Sequence, residues 1–279
     1  MDEQLIEKIT QKKEFSQLPR KDVEMAFEKF DNKKYGDEEK VKLTRKLLRE
    51  VFSSFASQKL LSLRGKDFEW VLKKHVSTRE RFPYYEEIYK KTLKGVKQGT
   101  IFDLGAGVNG FSYRYIDGKI KYIAVEAIGQ LVDLTNDYFK KEKINGKAIQ
   151  MSLFELEKLK NLIEEEKGRT TGVPKKGTRI CKQVPRNISE GNVYKGQKVV
   201  FLFKTLDSLE MMQRDYSKKL LKEIVPLVEK VVVSFAVRSM GSRQRFRANR
   251  KWLLDFIQDN FKVKDDFELG GERYIVFSK

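Results

Sequence analysis

The sequence predicts an α/β fold, in which a mostly parallel, seven-stranded sheet with an antiparallel last strand follows an all-helical amino-terminal domain. Short apolar runs alternate with amphipathic helical stretches from residue 100 onwards, which is typical of a parallel sheet with crossover helices. The final two runs, Phe261–Leu269 and Glu272–Phe277, flank Gly270-Gly271, a dipeptide that favours a hairpin turn. Residues 1 to 76 instead show only helical periodicity. We therefore expect two domains, 1–76 and 77–279.

The amino-terminal domain contains one strongly amphipathic helix. Asp37-Glu38-Glu39 places acids at the positive end of its dipole. Its apolar stripe consists of Val41, Thr44, Leu47, Leu48, Val51, Phe52 and Phe55. The opposite face carries Lys40, Lys42, Arg45, Lys46 and Arg49. This basic face is either a solvated surface or the RNA-contacting side of a docking domain, and the sequence leaves both interpretations open.

The second domain begins with a predicted helix over Glu80–Lys97, for which Ser77-Thr78 resembles an N-cap region. Strands are predicted at Ile101, Ile120–Glu126, Ala148–Met151, Lys198–Phe203 and Val231–Phe235, and helices over Ala127–Glu142, Met211–Val225 and Phe246–Phe261. Residues 163–197 interrupt this alternation with glycines, prolines and many cations, which predicts a long, mobile basic loop. That loop is either a surface insertion or an arm that contacts RNA.

A glycine turn after the first strand, within Thr100–Gly110, is the strongest candidate for a binding site. Gly105 and Gly107 allow the backbone to turn sharply and to approach a ligand closely. Asp103 precedes the turn and Glu126 ends the next strand, so both acids should face the crevice at the carboxyl ends of the strands. The segment satisfies G-x-G-x-x-G with an acid about 20 residues further on, which fits a dinucleotide as well as S-adenosylmethionine. Because Asp103 would repel a pyrophosphate and attract a cationic amino group, we favour S-adenosylmethionine over NAD and over a turn without a ligand.

The charge of the chain indicates its partners. The chain has 58 Lys and Arg against 40 Asp and Glu, a net charge of +18, which favours a nucleic acid partner. We find neither a signal peptide nor a membrane-spanning stretch, so we expect a cytoplasmic protein with no membrane partner. One cysteine, Cys181, and one histidine, His75, exclude a self-contained Cys/His zinc site, and we expect no metal.

The densest basic segment lies between residues 238 and 251, where fourteen residues contain no acid. Its cations are Arg238, Arg243, Arg245, Arg247, Arg250 and Lys251. We interpret them as contacts to RNA phosphates, with a solvated basic helix as the alternative.

Several stretches together resemble the aminoglycoside-resistance 16S rRNA (guanine-N7) methyltransferases, which have the class I, Rossmann-like methyltransferase fold. The similar stretches, in order, are His75–Arg81, Phe102–Asn109, Leu202–Leu206, Ser234–Arg243 and, loosely, Gly271–Val276. The chain departs from the family's pattern at Ala106, Gly110 and Ala236, and at the third strand, where Gln150-Met151-Ser152 stands in place of an acid.

The resemblance implies methylation of N7 of a guanine in 16S rRNA, at the decoding site, with S-adenosyl-L-methionine as cofactor. It implies that Glu126 binds the ribose, Asp103 the amino group, and His75, Ser77 and Arg81 the methionine carboxylate. Lys204 would flank the crevice and position the target base, and no residue is assigned a certain catalytic role. The predicted cofactor-binding set is His75, Ser77, Arg81, Asp103, Gly105, Ala106, Gly107, Glu126 and Lys204.

The resemblance also implies a partner, small-subunit rRNA or the assembled small ribosomal subunit, and we expect the protein to be a monomer. Two alternatives stay open. The protein methylates another RNA, or it is a catalytically inactive, ribosome-associated RNA-binding protein with this fold.

Overall fold

The computed structural model describes residues 2–52, 67–166, 196–237 and 250–279. Within these ranges the helices are α1 Glu3–Thr10, α2 Arg20–Glu28, α3 Asp37–Phe52, α4 Phe68–Lys74, α5 Val76–Arg81, α6 Tyr85–Thr92, α7 Gly129–Lys141, α8 Leu156–Glu165, α9 Leu206–Met212, α10 Tyr216–Ile224 and α11 Lys251–Asn260. Short 3₁₀ turns cover Phe82–Tyr84, Asn109–Tyr115 and Val225–Leu227. The strands are β1 Gln98–Leu104, β2 Lys119–Glu126, β3 Gly146–Gln150, β4 Gln197–Phe203, β5 Lys230–Ala236, β6 Lys262–Leu269 and β7 Glu272–Ser278.

The described strands form one seven-stranded sheet in the order β3-β2-β1-β4-β5-β7-β6. All neighbouring pairs are parallel except those that involve β7, which runs antiparallel to both β5 and β6. Gly270 and Gly271 both have positive φ, 61° and 78°, as a tight hairpin between β6 and β7 requires. The predicted fold class is therefore confirmed, including the antiparallel last strand.

The strand order reverses direction at β1, because β2 lies on one side of it and β4 on the other. Such a switch point opens a crevice at the carboxyl ends of the strands. Asp103 lies beside Ala124 of β2 and Phe201 of β4 in the register, and Glu126 is paired with Gln150 at the end of β3. The topology thus places both predicted acids at the same edge of the sheet.

The amino-terminal helices pack onto the sheet. Ile9, Phe27 and Leu48 belong to the same buried apolar cluster as Ile101 and Tyr122. The predicted stripe of α3 is buried as expected for Val41, Thr44, Leu47, Leu48 and Val51, whereas Phe55 lies outside the described residues. None of the described helices combines the length and apolar character that a bilayer crossing needs.

Two predicted helices are broken in the structure. The stretch predicted as one helix over Glu80–Lys97 consists of α5, a 3₁₀ turn and α6, because Pro83 cannot continue an α-helix. Ser77 and Thr78 lie inside α5, so the predicted N-cap there is wrong. The helix predicted over Met211–Val225 is split between α9 and α10, since Asp215 takes up a left-handed conformation with φ 62°.

The remaining differences concern boundaries. Helix α8 extends to Glu165, into the start of the predicted loop 163–197, because Leu159 and Ile163 are one turn apart and both are buried. Residues 167–195 of that loop lie outside the described residues, as do residues 246–249 of the helix predicted over Phe246–Phe261.

Candidate functional site: a crevice with two lobes

The glycine turn forms the floor of the crevice. Gly105 and Gly107 have φ values of 71° and 53°, in the left-handed region that favours glycine. The Gly107 N–H donates to Glu126 Oε2 over 2.8 Å, and the Ile128 N–H donates to Glu126 Oε1 over 2.9 Å. Glu126 thereby fixes the turn after β1 against the end of β2. Burial raises the pKa of this carboxyl, and the backbone donors oppose the rise.

Substitution of Gly105 by alanine should destabilise the protein by about 2 kcal/mol, since a left-handed residue other than glycine costs about 1–2 kcal/mol. A Cβ at this position would also lie 2.7 Å from Cγ2 of the buried Thr205. The matched control is Gly36→Ala, because a Cβ at Gly36 meets nothing within 4 Å. Urea denaturation measures both variants, and equal stabilities would contradict the assignment of strain to Gly105.

The smaller lobe of the crevice brings together the polar residues predicted for it. It is a narrow cleft lined by His75, Ser77, Thr78, Arg81, Asp103, Gly105, Ala106, Gly107, Val108, Asn109 and Phe203. His75, Ser77 and Arg81 come from the α4–α5 region, and the glycine turn supplies most of the others. Seven of the nine predicted cofactor-binding residues therefore meet in this lobe, and the other two, Glu126 and Lys204, line the larger lobe.

Asn109 organises the charges of the smaller lobe. Its Oδ1 accepts hydrogen bonds from Arg81 Nη1 at 2.8 Å and from the Tyr85 hydroxyl at 2.9 Å. Its Nδ2 donates to Asp103 Oδ2 at 2.9 Å and to the Tyr122 hydroxyl at 3.1 Å. The Asn109 side chain thus fixes the positions of Arg81 and Asp103 relative to each other. Burial raises the pKa of Asp103, and the hydrogen bonds from Tyr122 and Asn109 oppose this rise.

Arg81 and Lys204 converge on a third acid, Glu272, which is fully buried at the start of β7. Arg81 Nε and Lys204 Nζ each lie 3.3 Å from Glu272 Oε2. Lys204 Nζ also donates to Glu80 Oε2 at 2.6 Å. Lys204 has a left-handed φ of 57°, an uncommon conformation for a lysine that is often found at functional sites.

The larger lobe is mostly apolar. It has a volume of about 570 Å³, open to solvent, and its polar lining includes Asp22, Glu126 and Lys204. The apolar lining comes from Val51 and Phe52 of α3, Leu153 and Phe154 after β3, and Leu209 and Met212 of α9, with Phe203 and Ala127. The two lobes share Gly105 and Phe203, and Glu126, which lines the larger lobe, is hydrogen-bonded to Gly107 of the smaller one.

The basic segment is described only at its end. Arg238, Arg243, Arg245 and Arg247 lie outside the described residues. Arg250 donates to both carboxylate oxygens of Asp207, at 3.0 and 2.6 Å, and to the carbonyl of Ala236 at 2.7 Å. Lys251 is paired with Asp255 at 2.7 Å. These two cations therefore have acid partners from outside the segment, which the composition of the segment alone did not indicate.

Several polar residues at or beside the crevice were assigned no role from the sequence, among them Asp22, Asn109, Thr205 and Glu272. Glu272 was noted only as part of a loosely similar tail. The one local signal for Asp22 is its position in α2 next to Val23 and one turn before Ala26, both of which are buried. An acid on a buried helix face needs a partner or a function.

The chain matches no family model and no curated protein sequence. Its fold is similar to that of solved structures, among them the 16S rRNA methylase RmtB, with a TM-score of 0.72, 16% identity, and coverage of 99% of this chain and 97% of that chain. The 16S rRNA methyltransferase RmtF in complex with S-adenosyl-L-homocysteine gives a TM-score of 0.71, 18% identity and coverage of 100% of both chains. An rRNA methylase from Escherichia coli gives a TM-score of 0.70 and 16% identity, with coverage of 99% of this chain and 98% of that chain. The fold likeness thus includes the helical amino-terminal region, and it agrees with the fold that the resemblance implied.

Proposed function

We propose that the protein belongs to the 16S rRNA (guanine-N7) methyltransferase family and transfers a methyl group from S-adenosyl-L-methionine to N7 of a guanine at the decoding site. The observation that carries this proposal is the crevice with a polar and an apolar lobe at the carboxyl ends of β1, β2 and β4. The fold likeness to 16S rRNA methylases over 97–100% of both chains supports it, as does the net charge of +18.

The residues present fit S-adenosylmethionine. The smaller lobe offers Arg81 and His75 for a carboxylate and Asp103 for an amino group, and Glu126 can accept hydrogen bonds from ribose hydroxyls. The left-handed turn requires glycine at position 105, since a Cβ there would collide with Thr205. When bound, S-adenosylmethionine supplies an electrophilic methyl group on a cationic sulfur.

The side chains of the protein would position the methyl donor and the target base and exclude water from the reacting atoms. Guanine N7 has an in-plane lone pair and carries no proton, so no side chain has to act as a general base. Phe203, which lines both lobes, would shield the reacting atoms from water, and the hydrogen bonds of Asn109 hold the turn in place. Lys204, held between Glu80 and Glu272, borders the crevice where the target base would enter.

The test is incubation of purified small ribosomal subunits with the enzyme and S-adenosylmethionine, followed by chemical cleavage at N7-methylguanine and primer extension. We expect one new cleavage at the decoding site. Modification of another RNA instead would assign a different substrate to the same chemistry. Absence of both modification and S-adenosylmethionine binding in titration calorimetry would favour the RNA-binding scaffold.

Charge reversal of Arg243 and Arg245 should weaken binding to small subunits and flatten the dependence of log K on log salt by about 1.5, because each phosphate contact contributes about 0.7–0.9 to the slope. Filter binding over a range of potassium chloride concentrations measures this slope. The matched control reverses the charges of Lys140 and Lys141, two exposed cations at the end of α7. If both double variants change the slope equally, the effect is one of net charge and the assignment of the basic segment is wrong.

A further inference from the structure

Asp22 brings a buried carboxylate from the amino-terminal helices into the larger lobe of the crevice. It lies on α2, is only 2% exposed, and lines the lobe together with Glu126, Leu153 and Phe154. Its Oδ1 accepts a hydrogen bond from the Ser152 hydroxyl at 3.1 Å. Its Oδ2 is buried and has no hydrogen-bond partner among the described residues.

An unpartnered buried carboxylate oxygen is costly, so its presence at this position indicates a role. Burial raises the pKa of Asp22 to about 7, although the hydrogen bond from Ser152 opposes this rise. Glu126 and Glu155 raise the pKa further and Lys21 lowers it. Asp22 lies in the first turn of α2, where the helix dipole favours a carboxylate, but that effect does not require the carboxylate to be buried beside the crevice.

The two acids of the larger lobe differ in what they can still accept. Each oxygen of Glu126 already accepts a backbone N–H, from Gly107 or from Ile128, which fixes its orientation. Asp22 Oδ2 accepts no hydrogen bond from the described residues, and Asp22 lines the lobe together with Leu153, Phe154 and Met212. This arrangement suits a planar apolar ring that carries an N–H donor on its rim.

The other end of the ligand is fixed by charge. The smaller lobe holds Arg81, His75 and Asp103, so the amino-acid end of S-adenosylmethionine belongs there, and its planar base must extend past Glu126 into the larger lobe. Asp22 lies at the end of β3, where Ser152 follows the strand, and so at the far side of Glu126.

We propose that Asp22 accepts a hydrogen bond from the exocyclic amino group of the adenine of S-adenosylmethionine, so that the amino-terminal helices supply part of the cofactor site. The inference rests on the proposed cofactor, and it adds a residue and a source of base specificity to it. The helical region then has two roles, because any movement of α2 relative to the sheet changes the affinity for the cofactor. Selectivity for adenine over a 6-oxo purine follows from the acceptor at this position.

The experiment is titration calorimetry of the full chain with S-adenosylhomocysteine and with its deaminated analogue, S-inosylhomocysteine, which has an oxygen in place of the amino group. We expect the wild-type protein to bind the adenosyl compound at least about 10-fold more tightly, as for a hydrogen bond to a charged group. In Asp22→Asn this preference should disappear or invert, because the amide can donate to the 6-oxo group. The control, Asp31→Asn, changes an exposed aspartate paired with Lys40 and should leave both affinities unchanged.

The outcomes separate this inference from the proposed function. If the wild type binds S-adenosylhomocysteine and Asp22→Asn keeps both its affinity and its preference within about 2-fold, Asp22 is not the adenine acceptor while the cofactor assignment stands. If the wild type binds neither compound, the proposed cofactor is wrong and the inference falls with it. A cooperative thermal transition of Asp22→Asn at or above that of the wild type would show that the fold is intact.

A second measurement needs no variant. The charged groups that face Asp22 are Lys21, Glu126 and Glu155, and Lys204 lines the same lobe. Because an amino donor prefers the ionised carboxylate, the affinity of the wild type for S-adenosylhomocysteine should rise several-fold between pH 6 and pH 8. The affinity for S-inosylhomocysteine should fall over the same range, since its oxygen prefers the protonated carboxyl. Parallel pH profiles for the two compounds would overturn the proposal.

Discussion

Replacement of Glu126 by alanine is expected to lower the affinity for S-adenosylhomocysteine by at least about 100-fold, which places binding beyond detection in an ordinary titration. The two backbone hydrogen bonds that Glu126 accepts hold its carboxylate at the junction of the two lobes, where its remaining lone pairs can accept from both ribose hydroxyls. Hydrogen bonds to a charged group contribute about 1.5–3 kcal/mol each, so the loss of two gives at least this factor.

Glu126→Gln separates the binding role from the structural one. The glutamine carbonyl can replace one oxygen as acceptor, whereas its amide group faces a backbone N–H or a hydroxyl that needs an acceptor. We expect an affinity between those of the wild type and Glu126→Ala. Glu142→Ala, at an exposed acid that follows α7, serves as the control. An unchanged affinity of Glu126→Ala, with an intact thermal transition, would show that the ribose assignment is wrong.

Replacement of Arg81 by methionine is expected to destabilise the protein by about 3–5 kcal/mol, because a buried carboxylate loses a charged partner. Arg81 is 3% exposed and Glu272 is fully buried. Arg81 also donates to Asn109, and its guanidinium lies 5.1 Å from the centre of the Phe203 ring. For a chain of this length the change corresponds to a lower midpoint of thermal unfolding by roughly 10 °C.

The double variant Arg81→Met/Glu272→Gln tests the mechanism. If the penalty arises from the charge left on Glu272, the double variant should be more stable than Arg81→Met, since the neutral amide needs no cation. Lys204 remains 3.3 Å from the carboxylate and limits the size of the effect. Arg79→Met, at an exposed cation two residues away in α5, is the control. A midpoint for Arg81→Met within about 2 °C of the wild type would contradict a stabilising role of the pair.

Arg81 also illustrates why one residue can serve fold and site together. It joins α5, the glycine turn and β7, because it contacts Ser77, Asn109 and Glu272. Loss of its guanidinium would therefore lower cofactor affinity even in protein that remains folded at low temperature. Calorimetry well below the unfolding transition measures this second effect separately from stability.

The sequence by itself determined the fold class and much of the crevice. Alternation of apolar strands and amphipathic helices predicted the parallel sheet, and the hairpin at Gly270-Gly271 predicted its antiparallel end; the structure confirms both. The left-handed turn at Gly105 and Gly107 was predictable because glycine is the residue that adopts such a conformation at little cost. These features depend on the backbone conformations that each residue type prefers and on the period of the apolar pattern. Both can be determined from residues that are close together in the sequence.

The helix boundaries within 77–97 and 211–225 were not predicted correctly. Apolar periodicity continued through Pro83 and Asp215, whereas the backbone at these residues ends the helical hydrogen bonding. Periodicity reports which face is buried, and a break that keeps the same face buried leaves the apolar pattern almost unchanged. Pro83 is a stronger signal than the apolar pattern, because a proline lacks the N–H that a helix interior requires.

Only the tertiary structure decided which distant side chains share the crevice. Asp22 lies 130 residues before its partner Ser152, and Glu272 meets Arg81 and Lys204 from the other end of the chain. No local pattern encodes such contacts, because they arise from the order of the strands and from the docking of α2 on the sheet. The acid on the buried face of α2 was visible in the sequence, but the larger lobe that it lines exists only when the helices and the sheet come together.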